Sequence, residues 1–553
     1  MLLAPSFFWA HRLPFKMDFH PNRRTILSGF GLTGVWAGSL MLGGCTPIDD
    51  SDILRVVPYA DLQSIDPVVT TIGIVQRHSI LTHDFLFGRD RDQNPQPQMV
   101  DTWSVSDDGL SWRFHLRDGL AFHDGSPVTA ADVVASLKRW GMRDAYGRQI
   151  FAITRTFEAI DARTVSWQLD RPYGLMLHAL SKTGGPVPAI MPARLAQTPA
   201  TTPLHEVMGS GPYRFVAEEW IPGSKVVYRR NDAYIPRAEP PNGMAGGKIA
   251  RVGTIEWLNI RDPQSAVLAL ANGEIDFVEN PAPEFLPMLA REGLRIERTD
   301  PLGTQGMLRM NHLHPPFDDP RARQALFHLV NQADFLQAMF GNPDITETCH
   351  SFFGCGSPLS TQAGVPPGIG HDREKAKALM AAAGYDGRPI VILHPTDIQF
   401  MNIATLVLGE ALKSIGMTVD LQAMDFGAMS SRRTNRAAPE NGGWHIGLTY
   451  WPGNDIADPV GNIPLQANGD QAWPGWPDDP VLQAMIDRFP YVQSPKQRQS
   501  LADQIQIRAY QSVPYVPIGQ WHVPVAYSPR LSGVLSVPGT TVFWNIEKGP
   551  RVY

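Results

Sequence analysis

Two different periodicities share this chain, and together they exclude a single-layer fold. Ser111–Arg117 and Arg163–Leu169 alternate apolar and polar residues, the pattern of half-buried strands. Later the pattern changes to a strand over Ile390–Leu393, a helix over Met401–Ile415 and a strand over Met417–Met424. A strand–helix–strand of that spacing makes a parallel crossover. The sequence also predicts strands at Ile53–Tyr59, Lys225–Arg229, Thr254–Ile260, Ile275–Val278 and Trp444–Trp451. Helices are predicted at Ala130–Trp140 behind Thr129 as N-cap, and at Pro263–Asn272, Asp319–Phe340, Asp372–Ala383 and Pro495–Gln511. The last 40 residues are again strand-like. A mixed β/α half, an α/β half and a tail resembling the start predict a discontinuous two-lobe α/β protein. Its chain should cross between the lobes more than once. At roughly 150 residues per domain, 553 residues allow three or four folding units.

Charge narrows the partners. Lys and Arg total 48 against 54 Asp and Glu, a net charge of −6, which disfavours a nucleic-acid partner. Residues 1–44 read as an address rather than as fold. Arg23-Arg24 precede an uncharged run from Ile26 to Gly44 that ends Leu42-Gly43-Gly44-Cys45. This resembles a bacterial lipoprotein signal, with the Cys45 thiol as the lipid acceptor. Arg23-Arg24-Thr25-Ile26-Leu27 also resembles a twin-arginine export motif, and Met17 is an alternative start. The competing reading is a retained membrane anchor, but six glycines make the run weakly apolar for one. Losing four basic residues and one acid with the leader takes the net charge from −6 to −9. The expected location is the periplasm or the outer face of the membrane, with the protein lipid-anchored or soluble after cleavage. In such an oxidising compartment Cys349 and Cys355 are expected to pair, two free thiols being the alternative.

Several motifs are decoys. Gly29–Gly34 fits GxGxxG but lies inside the signal core rather than in the strand-to-helix setting that a dinucleotide site needs. His205-Glu206 begins an HExxH pattern whose second His position is Gly209. His312-Leu313-His314 is a bare HxH ahead of Pro315-Pro316. Lys248 precedes Ile249, so no P-loop is completed. The sequence therefore implies no metal and no cofactor.

One long block resembles a known family. Trp103–Gly119 (WSVSDDGLSWRFHLRDG) is followed by Phe122–Val133 (FHDGSPVTAADV). In register behind it come Gly209–Phe215, Asn231–Tyr234, Asn272–Asp276, Pro315–Ala325 and Ala376–Tyr385. Together these are similar to the family 5 extracellular solute-binding proteins, the peptide, oligopeptide and nickel receptors of ABC importers. Most of the matched residues also make sense as turns and caps, so they specify fold before ligand. The resemblance implies a type II, cluster C-like periplasmic binding protein fold of two lobes with an extra β-rich subdomain. It places 45–84, 207–290 and 521–553 in lobe I, 85–206 in the extra subdomain, and 291–520 in lobe II. It also implies a monomer that closes on a small solute and passes it to a permease and its ATPase subunits.

In family peptide receptors an aspartate holds the ligand ammonium, shortly after a Gly-Trp and just before an acid–Pro pair. Here Asp455 stands three residues before Asp458-Pro459, but Tyr450 replaces the glycine and one extra residue follows Trp451. Two readings stay open: Asp455 is the ammonium acceptor, or the loop is rebuilt for another ligand. Tyr450 and Trp451 are candidates to line or stack on the ligand. Tyr59 and Asp61 match the family's first crossover loop, and Arg309, between Leu308 and Met310, is a candidate partner for a ligand carboxylate. Peptide is the expected ligand, with opines, sugars and metal chelates as family alternatives. A secreted hydrolase on a two-lobe scaffold is the rival from another class, and no nucleophile motif supports it.

Overall fold

The computed structural model describes residues 50–550. The leader, Cys45 and the twin-arginine motif lie outside the described residues. Two large sheets organise the rest. One has seven strands in the order Arg295–Glu297, Val525–Tyr527, Phe277–Glu279, Ile53–Val57, Thr254–Leu258, Lys225–Arg230 and Tyr213–Phe215. Ile53–Val57 lies at its centre and runs parallel to both neighbours. The other has six strands in the order Thr346–Glu347, Val516–Trp521, Thr304–Met310, Ile446–Pro452, Ile390–Pro395 and Val419–Met424. A third, four-stranded antiparallel sheet joins Val100–Val105, Ser111–Leu116, Thr164–Leu169 and Thr154–Ala159.

Local sequence explains these elements. Ile390–Pro395 is buried at every position, as a parallel strand covered on both faces must be. It pairs in parallel with Val419–Met424 across the helix Gln399–Ser414. Ser111–Leu116 buries alternate residues, Trp112, Phe114 and Leu116. Beside that sheet the helix Ala130–Gly141 opens with a capping box, in which Thr129 and Asp132 bond each other's backbone N–H. Its buried Val133, Leu137 and Trp140 recur at helical spacing.

Three expectations are corrected. Asp319–Phe340 is not one helix but two, Pro320–Leu329 and Gln332–Phe340. Val330 turns extended and the Asn331 side chain accepts from the N–H of Ala333, so a new N-cap starts a second helix. The tail forms the strands Val516–Trp521 and Val525–Tyr527, but beyond them only the two-residue strands Leu531–Ser532 and Glu547–Lys548. There Pro529, Pro538, Gly533 and Gly539 interrupt pairing, and Val537, Val542, Phe543 and Trp544 bury themselves without forming a strand. Finally, Arg295–Glu297, expected in the second lobe, instead pairs with Val525–Tyr527 in the seven-stranded sheet. Trp521 ends a strand of the six-stranded sheet, so it falls on that side of the crossing.

The chain passes between the large sheets twice, at 298–303 and at 522–524. Near the first crossing Cys349 and Cys355 are joined by a disulfide, with Gly354 and Gly356 at φ +72° and +79°. Loop closure predicts that replacing both cysteines with alanine costs about 2–2.5 kcal/mol. A urea melt of the oxidised protein against the double variant checks this, and coincident midpoints would reject it.

Candidate ligand-binding cleft

The cleft is built where strand ends meet loops from the other side of the molecule. Ile446–Pro452 is buried through Thr449, and its last three residues, still paired with Thr304–Gly306, are half-buried or exposed. It runs directly into the short helix Gly453–Ile456 as the Gly453 N–H bonds the Gly303 carbonyl at 2.7 Å. Opposite lie Val68–Gly73, Thr183–Pro186 and the start of the helix Ala145–Ala152. Asp144 caps that helix, accepting from the N–H groups of Tyr146 at 3.0 Å and Gly147 at 3.2 Å, while its other oxygen pairs with Lys182.

Two connected cavities result, of about 620 Å³ and 380 Å³. Tyr450, Pro452, Asn454 and Asp455 line both. The walls are tied at one end. Asp458 Oδ2 accepts from the Tyr146 hydroxyl at 2.5 Å and bonds His178 Nε2 at 3.0 Å. Asn454 Nδ2 donates to Thr183 Oγ1 at 3.2 Å. Burial opposes ionisation of Asp458, but the His178 and Tyr146 bonds outweigh it and hold the carboxyl well below the usual range.

Asp455 behaves in the opposite way. Among the described residues its carboxylate has no hydrogen bond or ion pair. Burial pushes its pKa up; Lys182 and Arg89 oppose that, while Asp300 adds to it. Asp300, on the wall of the smaller cavity, is likewise raised by burial against three backbone N–H bonds. The Asp455 carboxylate packs against Gly184, where a β-carbon would collide with it. Glycine at 184 is what lets the acid approach this wall.

Of the six residues singled out from the sequence, four meet at the cleft. Tyr450 and Asp455 line both cavities, Trp451 the larger and Tyr59 the smaller. The Tyr59 ring is covered by Arg77 at 4.2 Å, and Arg77 is paired with Glu279. Trp451 packs edge-on against Trp473.

The other two lie elsewhere. Asp61 accepts from the Gly223 N–H at 3.0 Å and lines neither cavity. Arg309 is fully buried, and its guanidinium donates to the carbonyls of Pro464, Trp473, Pro474 and Pro514. The partner that a charge on this strand requires is main chain, not ligand. His312 and His314 do not converge: His314 Nε2 bonds the Arg436 carbonyl, and burial pushes His312 well below its ordinary value.

Sequence reasoning missed Arg89, Arg143, Arg148, Lys182 and Arg433, all of which line the larger cavity. They come from four separate segments, and only the Lys182-Thr183-Gly184-Gly185 run, small and flexible beside a cation, offered a local sign. Neither cavity is lined by serine, cysteine or histidine among the described residues.

Comparison with known proteins agrees with this architecture. The model for "Bacterial extracellular solute-binding proteins, family 5 Middle" matches residues 94–473. A probable peptide ABC transporter periplasmic-binding protein of Sinorhizobium fredii is 39% identical over 495 residues, covering 88% of this chain and 92% of the relative. Among solved structures, the periplasmic binding protein DppA of Helicobacter pylori, in complex with peptide STSA, aligns with a TM-score of 0.72 at 21% identity. That alignment covers 90% of this chain and 98% of the other. AgaA of A. tumefaciens R10, in complex with agropinic acid, aligns with a TM-score of 0.71 at 22% identity, covering 90% and 99%. At these identities the two structures establish the two-lobe fold alone, and their ligands differ. The fold, the family match and the long 39% relative lead to one conclusion: this chain belongs to the bacterial extracellular solute-binding proteins of family 5.

Proposed function

We propose that this protein is the extracytoplasmic receptor of an ABC importer and that it encloses a peptide whose ammonium is held by Asp455. The observation that carries the reading is the unpartnered, half-buried Asp455 carboxylate at the junction of the two cavities. A carboxylate in such a site accepts charge-assisted hydrogen bonds from an ammonium. The 39% identical relative is a probable peptide transporter component, which supports peptide over the opine, sugar and chelate alternatives. The cleft lining offers no serine, cysteine or histidine nucleophile for the hydrolase alternative. Tyr59, Tyr450 and Trp451 would contact the enclosed ligand, and Asp61 would steady the loop that carries Tyr59. Lobe I would take the seven-stranded sheet with the four-stranded sheet as its subdomain, and lobe II the six-stranded sheet. Removal of residues 1–44 and lipidation of Cys45 would hold a monomer at the membrane beside its permease and ATPase subunits.

Asp455→Asn is expected to weaken a free-amine tripeptide at least about 30-fold by titration calorimetry. N-acetylating the peptide should cost the unaltered protein a similar factor and the variant little more. Equal affinity of variant and parent would remove Asp455 from the site. Because the Asp455 pKa is raised, its carboxylate protonates above the ordinary aspartate value of about 3.9. Affinity for an ammonium should therefore fade as pH falls, starting above that value.

A further inference from the structure

The two cavities differ in charge. The larger is lined by five cations, Arg89, Arg143, Arg148, Lys182 and Arg433, against two carboxylates, Asp144 and Asp455. Lys182 and Asp144 satisfy each other. That leaves four arginines facing one acid, in a chain whose net charge is −6. The smaller cavity instead places Asp300 beside Asp455, with Arg77 committed to Glu279.

Arg433 is the most telling of the four. It is half-buried, and its guanidinium lies 4.1 Å over the Trp473 ring. Among the described residues the guanidinium has no hydrogen-bond acceptor and no carboxylate. Its Nε is buried without a partner, and burial pushes the group down to about 10. Arg89 is buried too, yet its acceptors are neutral: Ser181, Gln93, Asn454 and the His178 carbonyl. Burying a guanidinium without an anion is costly unless something supplies one. The Trp473 face holds Arg433 in place by a cation–π contact and leaves the terminal nitrogens for an incoming group.

We infer that the larger cavity selects peptides with acidic side chains, and that Arg433, assisted by Arg143 and Arg148, is the specificity-determining residue. The inference rests on the peptide reading of the cleft. With the ligand ammonium at Asp455, the following side chains extend toward the arginines. The C-terminal carboxylate supplies one negative charge, and acidic side chains supply the remainder.

The test is titration of purified, ligand-stripped protein with Ala-Glu-Glu, Ala-Gln-Gln, Ala-Lys-Lys and C-amidated Ala-Glu-Glu. Ala-Glu-Glu should bind at least tenfold tighter than Ala-Gln-Gln, and Ala-Lys-Lys weakest. The advantage should shrink between 0.05 and 0.5 M salt, about what screening of partly exposed charges gives. C-amidation should leave most of the preference, which assigns it to side chains; losing the preference on amidation would assign it to the C-terminus and overturn the inference. In Arg433→Gln the Glu/Gln ratio should fall toward one, and in Arg433→Lys it should partly return. A structural role for Arg433 would lower both affinities together and keep the ratio. Equal binding of Ala-Glu-Glu and Ala-Gln-Gln to the parent overturns the charge preference and leaves the peptide reading standing. Failure of all four peptides to bind overturns both.

Discussion

Replacing Arg309 with methionine is expected to cost more than about 4 kcal/mol of stability, at the far end of what single substitutions do. The guanidinium donates to Pro474 O at 2.8 Å, Pro464 O at 2.7 Å, Pro514 O at 2.9 Å and Trp473 O at 2.6 Å. Each buried carbonyl left without a donor costs about 1–3 kcal/mol. Methionine fills part of the volume but offers none of the four bonds. Urea unfolding measures the loss, and calorimetry on the folded fraction should give an affinity within about twofold of the parent. The opposite result, normal stability with lost affinity, would return Arg309 to the ligand site.

Asp66→Ala is the second large effect, about 3–5 kcal/mol, because it strands a buried arginine. Asp66 and Arg139 are both buried and bind in a two-pronged pair, at 2.9 and 2.7 Å. Asp66 also accepts from the N–H groups of Val68 and Leu204, each at 2.9 Å. The pair thereby fixes the start of Val68–Gly73, one wall of the cleft. Burial pushes the Asp66 pKa up, but Arg139 and the backbone bonds outweigh it, so the folded value lies below the ordinary one. A carboxyl depressed in this way stabilises the fold above its unfolded pKa and loses that contribution as pH falls through the folded value. The gap between parent and variant should thus be full at neutral pH and narrow below about pH 4. Asp66→Leu with Arg139→Met should cost less than Asp66→Ala alone, since no charge is left stranded. A double variant less stable than the single would contradict this account.

These two residues show what the sequence can and cannot carry. Thr129 immediately precedes its helix, so the N-cap could be read locally and is present, with Asp132 completing a capping box. Ile390–Met424 was legible for the same reason, since period and length select strand and helix without distant help. The break at Val330-Asn331 was lost because the apolar spacing continues through it, and only the cap at Asn331 marks the new start. Arg309 is only a candidate ligand contact in the sequence, because a charge beside Leu308 and Met310 needs a partner that can equally be structural. The answering carbonyls lie 155–205 residues further along, where no local pattern records them. Tyr450, Trp451 and Asp455 reached the cleft from one segment, which is why a motif could point to them. The arginines reached it from three, and Lys182 from a fourth, so only the folded chain assembles their charge.

The placement of Val525–Tyr527 has a consequence for the order in which the molecule can be made. This strand sits between Phe277–Glu279 and Arg295–Glu297, strands synthesised more than two hundred residues earlier. Until it emerges, two neighbouring strands face each other across an empty slot, with backbone donors and acceptors exposed on both sides. A growing chain therefore completes its first large sheet only after the strands of its second have emerged, and that gap is an opening into which a strand of another chain could pair. Truncation anywhere before Val525 should produce not a smaller receptor but an association-prone one.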